Sequence, residues 1–116
     1  MRFVSWNVNG FRAALKKGFM DWLEAADPDV LSLQEIRCEW EEVELPVRRQ
    51  LESAYDICWF PARSKKGYAG SATLTRKGEG WVHQPGLGIA DYDRMSVLLT
   101  EILRHGYPVE SGPPAC

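Results

Sequence analysis

The stretch SWNVNGFRA, Ser5–Ala13, ends an apolar run on two asparagines and a glycine. A strand has a side-chain period of two, so Asn7 and Asn9 share one face while Val4, Trp6 and Val8 point to the other. Asn is a poor strand former and a good turn former, so one reading is a strand giving way to a turn at Asn9-Gly10. The other is a strand tip that presents two amides to a ligand.

Working outward, Arg2 to Val8 reads as a strand from its Phe, Val and Trp content. Phe19, Trp22, Leu23 and Ala26 then recur at i, i+3, i+4 and i+7, the spacing of an amphipathic helix, which Asp27-Pro28-Asp29 stops. Val30 to Leu33 is a short apolar run of strand length, followed by Gln34 and Glu35. Strand, helix, strand is the pattern of an α/β layer. If the two strands lie side by side and parallel, Asn7 and Glu35 both sit at carboxyl ends, where ligands favour binding.

Pro46 suits the first turn of a further helix with Val47 and Leu51 on one face. Tyr55 to Phe60 reads as an aromatic-rich strand closed by Pro61. Ala62 to Gly70 is a basic loop, Ser71 to Thr75 resumes a strand, and Trp81-Val82-His83 is read as another. The fold class expected is α+β, or mixed α/β, with antiparallel parts to the sheet.

Composition bounds the function. The chain has 116 residues, 45% of them hydrophobic and 26% charged, which is ordinary for one globular domain and excludes a wholly disordered chain. A net charge of -2 does not advertise a polyanion as partner. The charge is nevertheless segregated: Arg12, Lys16, Lys17, Arg63, Lys65, Lys66, Arg76 and Lys77 form three basic segments, against the acidic run Glu39, Glu41, Glu42 and Glu44. Such segregation permits a basic face on an acidic protein; it is equally read as two solvated surfaces. The three cysteines, Cys38, Cys58 and Cys116, are odd in number and lack metal-ligand spacing, so a reducing compartment is the expectation. No run has the length to span a bilayer, and the N-terminus lacks a signal-peptide core. The reading is a soluble, cytoplasmic protein.

Three stretches fit one pattern together: SWNVNGFRA, then DPDVLSLQE (Asp27–Glu35), then KKGYAGSATLTRK (Lys65–Lys77). In order and spacing they resemble the N-terminal half of the exonuclease III and abasic-site endonuclease branch of the endonuclease/exonuclease/phosphatase superfamily. The resemblance runs from Met1 through GIADYDR to Arg94. It implies the N-terminal half of a four-layer α/β sandwich of the DNase I-like type over residues 1–94; residues 95–116 depart from it and read as a divergent helical segment and loose tail.

The resemblance also implies roles. Glu35 matches the family's magnesium ligand, with Mn2+ as the alternative ion. Asn7 matches a catalytic-site residue that hydrogen-bonds near the scissile phosphate, and Asn9 a position close to the metal. Arg12, Ala13, Lys17 and Tyr68 match positions that contact DNA. A hard cation takes carboxylate oxygen and keeps positions open for water and phosphate. A neutral amide can donate to a phosphate oxygen while accepting from another group. Backbone contacts fix register and are salt-dependent, which suits recognition of a lesion by shape. The activity implied is a magnesium-dependent deoxyribonuclease that hydrolyses the phosphodiester 5′ to an abasic site and in some members removes nucleotides from 3′ ends. The partner implied is duplex DNA with abasic sites or 3′ ends, with no membrane, a monomer when complete and a nucleoid-associated location.

The sequence departs from this family after Arg94. The Tyr, the Asp-x-Asn motif and the late Asp-His pair of the second half do not follow. Instead Met95, Leu98, Leu99, Ile102 and Leu103 make a helical apolar stripe, ended by Gly106 and Pro108, and SGPPAC reads as a loose tail. A true short protein, a truncated product and a reading-frame change near Arg94 all fit. The latter two are favoured, since half of a two-sheet core leaves an apolar sheet face exposed, and the chain is then expected to be weak or inactive alone. A noncatalytic nucleic-acid-binding relative is the alternative function. A lipid or inositol phosphatase of the same superfamily is disfavoured by NGFRA and KKGYAG.

Overall fold

The first strand, β1, covers Phe3–Asn7 and pairs in parallel with β2, Val30–Gln34, in the register Phe3 to Val30 through Asn7 to Gln34. The structure is a computed structural model that describes residues 2–62 and 69–78, together with the backbone of 109–111. The parallel condition posed by the sequence is therefore met, and the strand tips carrying Asn7 and Glu35 are neighbours. Two short helices make the crossover, α1 at Phe11–Lys16 and α2 at Phe19–Ala26. The sequence pattern predicts only the second. The first is six residues long, without a side-chain cap, and buries only Phe11 and Ala14, too short a stripe to stand out as periodicity. Gly18, at φ +96°, makes the left-handed corner between them.

Helix α3 spans Leu45–Ala54, with Pro46 in its first turn as expected and Leu51 as its buried anchor. A 3-10 turn at Trp40–Glu42 precedes it, closed by a reciprocal capping box between Glu39 and Glu42. Strands β3, Tyr55–Phe60, and β4, Ser71–Arg76, follow. A fifth strand, β5, covers Val109–Ser111. The sheet has five strands in the order β3-β4-β2-β1-β5, with β4 antiparallel to both neighbours and β5 parallel to β1. Ser111, which the sequence assigns to a loose tail, thus lies in an edge strand, because the free side of β1 offers unpaired backbone groups to it. The expected strand at Trp81–His83, the helix at Met95–Leu103 and Tyr68 lie outside the described residues. Among the described residues no helix is long and apolar enough to cross a membrane.

Period-two alternation gives the sheet two unlike faces. Val4, Leu31, Leu33, Ala72 and Leu74 join Phe11, Phe19, Leu23 and Leu51 in one buried cluster, so all three helices cover this face. Aromatic rings run across it in contact: Trp22 on Trp6, Trp6 on Phe19, Phe19 on Phe11, Phe11 on Trp59 and Trp59 on Trp40, with centroids 4.6–5.4 Å apart. These tryptophans are half-buried and pack against the core cluster, and offset or edge contacts of this kind add to the area they bury. The opposite face carries buried Phe3 and Val30 at one end and Ser5, Ser32, Gln34, Ser71 and Thr73 beyond them, and there Gln34 Nε2 donates to Ser5 Oγ at 3.1 Å.

Arg76 staples the end of the sheet remote from Glu35. Its guanidinium donates to Asp27, to the Pro28 carbonyl at 2.8 Å, to Asp29 Oδ1 at 3.3 Å and to the Tyr55 hydroxyl at 3.3 Å. It also stacks 5.3 Å from the Tyr55 ring, while Tyr55 donates to the Pro28 carbonyl at 2.9 Å. One side chain thereby ties the α2–β2 turn to β3 and β4. Arg76→Met keeps the stem but leaves half-buried acceptors unmatched, and should lower the unfolding free energy by about 1–3 kcal/mol. Urea denaturation measures it; a loss under about 0.5 kcal/mol would mean that the cluster is only a solvated ion pair.

Candidate active site

Three loops meet at the carboxyl ends of β1 and β2 and the start of β4. Their backbones are laced together: Val8 N–H donates to Gln34 O at 3.1 Å, Gly10 N–H to Glu35 O at 2.7 Å and Phe11 N–H to Ile36 O at 2.8 Å. From the other side, Ile36 N–H donates to Gly70 O at 3.3 Å and Arg37 N–H to Ala69 O at 2.9 Å. The Glu35–Arg37 loop is thus clamped between its two neighbours.

Four non-glycine residues in these loops are left-handed: Asn9 at φ 47°, Glu35 at 54°, Arg37 at 58° and Ala69 at 49°. Each such residue costs about 1–3 kcal/mol and persists only where its surroundings over-determine it. The lacing supplies that determination. Strain gathered in this way is characteristic of a site whose side chains must point against local preference.

Glu35 is the centre. Asn7 Nδ2 donates to Glu35 Oε2, and Arg37 Nη2 donates to Oε1 at 2.7 Å. These two hydrogen bonds, that of Asn7 first, hold the Glu35 carboxyl below its ordinary range, so it is ionised at neutral pH. Asn7 is itself oriented, because its Oδ1 accepts from the Asn9 backbone N–H at 3.0 Å. The two asparagines of the opening motif therefore have distinct parts: Asn9 turns the chain and fixes Asn7, and Asn7 fixes Glu35.

Arg12, Ala13 and Lys17 lie on or just after α1 and are exposed, with Lys16, on the side away from buried Phe11 and Ala14. Arg12 also reaches Glu42 at 3.4 Å, so the acidic run abuts the basic helix. The structure brings Asn7, Asn9 and Glu35 together at one point and sets Arg12, Ala13 and Lys17 on the adjoining helix. Tyr68 lies outside the described residues.

Arg37 is the site residue that the sequence reading misses. Glu-x-Arg after an apolar strand was its signal, but in ordinary extended backbone it says nothing; here positive φ at both residues brings the side chains into contact. Cys38 is buried, and burial pushes its thiol up to about 11, so it offers no thiolate at neutral pH.

A magnesium ion fits this donor set only in its sparest form. Among the described residues no three His, Cys, Asp or Glu side chains gather. Mg2+ is commonly held by one or two carboxylates, with water and phosphate oxygens completing the shell. The Glu35 side chain, 36% accessible and ionised, meets that lower requirement.

The profile of the Endonuclease/Exonuclease/phosphatase family matches residues 4–107. A DNA-(apurinic or apyrimidinic site) endonuclease of Dictyostelium discoideum is 34% identical over 100 residues, which cover 86% of this chain and 26% of that protein. An exodeoxyribonuclease of Bacillus subtilis is 35% identical over 101 residues, or 86% of this chain and 37% of that one. Among solved structures, an AP endonuclease from Leishmania major is similar with a TM-score of 0.50 and 31% identity, over 64% of this chain and 23% of its own. The chain spans between a quarter and two fifths of the length of these curated relatives.

Proposed function

The chain belongs to the endonuclease/exonuclease/phosphatase family, in the branch of exonuclease III and the abasic-site endonucleases, and from that premise we propose that it is a DNA-repair phosphodiesterase. The reaction proposed is hydrolysis of the phosphodiester 5′ to an abasic site, with 3′-end removal as a companion activity. Its setting is intracellular and nucleoid-associated, where the substrate lies. The observation that carries this reading is the pair Asn7–Glu35 at adjacent parallel strand ends, in loops strained to hold them there.

Each residue has a part in the proposal. Glu35 holds Mg2+, which when bound supplies charge stabilisation at the phosphate. Asn7 keeps the Glu35 carboxylate aimed, and Asn9 keeps Asn7. Arg12 and Lys17, with the Ala13 backbone between them, grip the DNA backbone, giving salt-dependent affinity and register. An abasic nucleotide is turned out of the duplex at low cost, because no base leaves the stack.

The test is a duplex with one abasic site, incubated with the purified chain in Mg2+ and in chelator. The expected outcome is weak incision 5′ to the lesion that chelator stops. Incision that survives chelation would overturn the metal reading. Salt-dependent binding of the duplex without incision would instead establish the second reading, a noncatalytic nucleic-acid-binding relative. That reading is favoured by one observation: among the described residues no group of three His, Cys, Asp or Glu side chains gathers to hold a metal.

A further inference from the structure

The proposed function uses Glu35 and Asn7 but leaves Arg37 without a task. Arg37 Nη2 sits 2.7 Å from Glu35 Oε1, the group assigned to the metal. The contact is built rather than incidental. Glu35 and Arg37 both adopt left-handed backbone, at φ 54° and 58°, and their loop is pinned on both sides by Gly10 and Ala69. The Arg37 Nε is buried and has no hydrogen-bond partner, whereas the side chain as a whole is 42% exposed.

A guanidinium keeps its proton at any pH that a protein survives, so this is a fixed positive charge on the carboxylate. A divalent cation on the same carboxylate would stand close to that guanidinium, and the two like charges repel one another. We propose that Arg37 is a resident counter-cation: it occupies Glu35 in the metal-free chain, and a divalent cation binds Glu35 only as the guanidinium lets go. The partly exposed head has solvent to swing into. Arg37 is in this sense a positioning residue that acts through Glu35 and sets the concentration at which the site fills. This inference rests on the reading that Glu35 is the metal ligand.

It predicts a sign opposite to that of a mechanical strut. If Arg37 only held Glu35 in place, removing it would loosen the site and weaken metal binding. If it competes, removing it strengthens binding. The measurement is Mn2+ binding to the purified chain without DNA, read from the loss of the free-ion electron paramagnetic resonance signal. Arg37→Gln and Arg37→Met should each bind Mn2+ about fivefold more tightly than the native chain, within the range of such couplings. Met retains the stem and serves where Gln disturbs the fold, which circular dichroism checks in each variant. Arg37→Lys retains the charge and should stay within about twofold of the native value. Unchanged or weaker binding in the folded neutral variants overturns the inference while the Glu35 site stands. Binding that survives Glu35→Gln unaltered, or is absent from every variant, overturns the Glu35 reading and the inference with it.

Discussion

Glu35→Gln should reduce metal-dependent incision of an abasic duplex by about 10²- to 10³-fold while leaving the fold nearly as stable as before. The activity loss follows from the charge. A carboxylate that brings a divalent cation to the phosphate supports several kcal/mol of transition-state stabilisation, and each 1.36 kcal/mol is about a factor of ten in rate. Gln has the same shape and can still accept the hydrogen bond that Asn7 donates, but it carries no charge for a cation. The small effect on stability follows from exposure. The Glu35 and Arg37 side chains are 36% and 42% accessible, so solvent screens their ion pair and its loss should cost less than about 1 kcal/mol. Incision kinetics and a urea melt on the same preparation measure the two effects. Incision reduced less than tenfold would remove Glu35 from the chemistry, and a melt shifted by several kcal/mol would make it a structural residue instead.

Gly70→Val should be the most destabilising single change near the site, at about 3 kcal/mol. Two penalties combine. Gly70 sits at φ +92°, where a β-branched residue is strained by about 1–2 kcal/mol. A Cβ there would also stand 3.0 Å from the Phe60 carbonyl oxygen, 3.1 Å from the Ala62 nitrogen and 3.1 Å from Ile36 Cγ1. Two of those three atoms are backbone and cannot swing aside, so the loop must move, at a further cost of about 1–3 kcal/mol. Because Gly70 O accepts from Ile36 N–H, that movement reaches Glu35 through its next residue. Denaturant unfolding tests the first part, and a loss below about 1 kcal/mol would show that the loop yields freely. Nuclear magnetic resonance shifts at Glu35 and Arg37 follow the second.

The elements of this chain were largely legible because their signals are local. Alternation in Phe3–Asn7, the i, i+3, i+4 spacing from Phe19, Pro46 at a helix start and Pro61 after an aromatic run are read from neighbouring residues alone. So are the asparagines and the glutamate at strand ends, and their wording in three motifs is what pointed to the family. Helix α1 escaped because one turn and a half holds too few apolar repeats to be heard above composition.

What lay beyond the sequence is whatever depends on segments far apart meeting. That β1 and β2 are parallel neighbours, so that Asn7 touches Glu35 across 28 positions of chain, is a sheet-pairing decision. That Ser111 joins the edge of β1 is another. The contact of Arg37 with Glu35 depends on two left-handed residues that neither side chain prefers, held by hydrogen bonds from loops at Gly10 and Ala69. Sequence by itself determined which groups this chain can offer to a phosphate and a cation. Tertiary structure alone decided which of them share a carboxylate, because only packing and backbone pairing across the sheet supply the energy to hold strained residues in place.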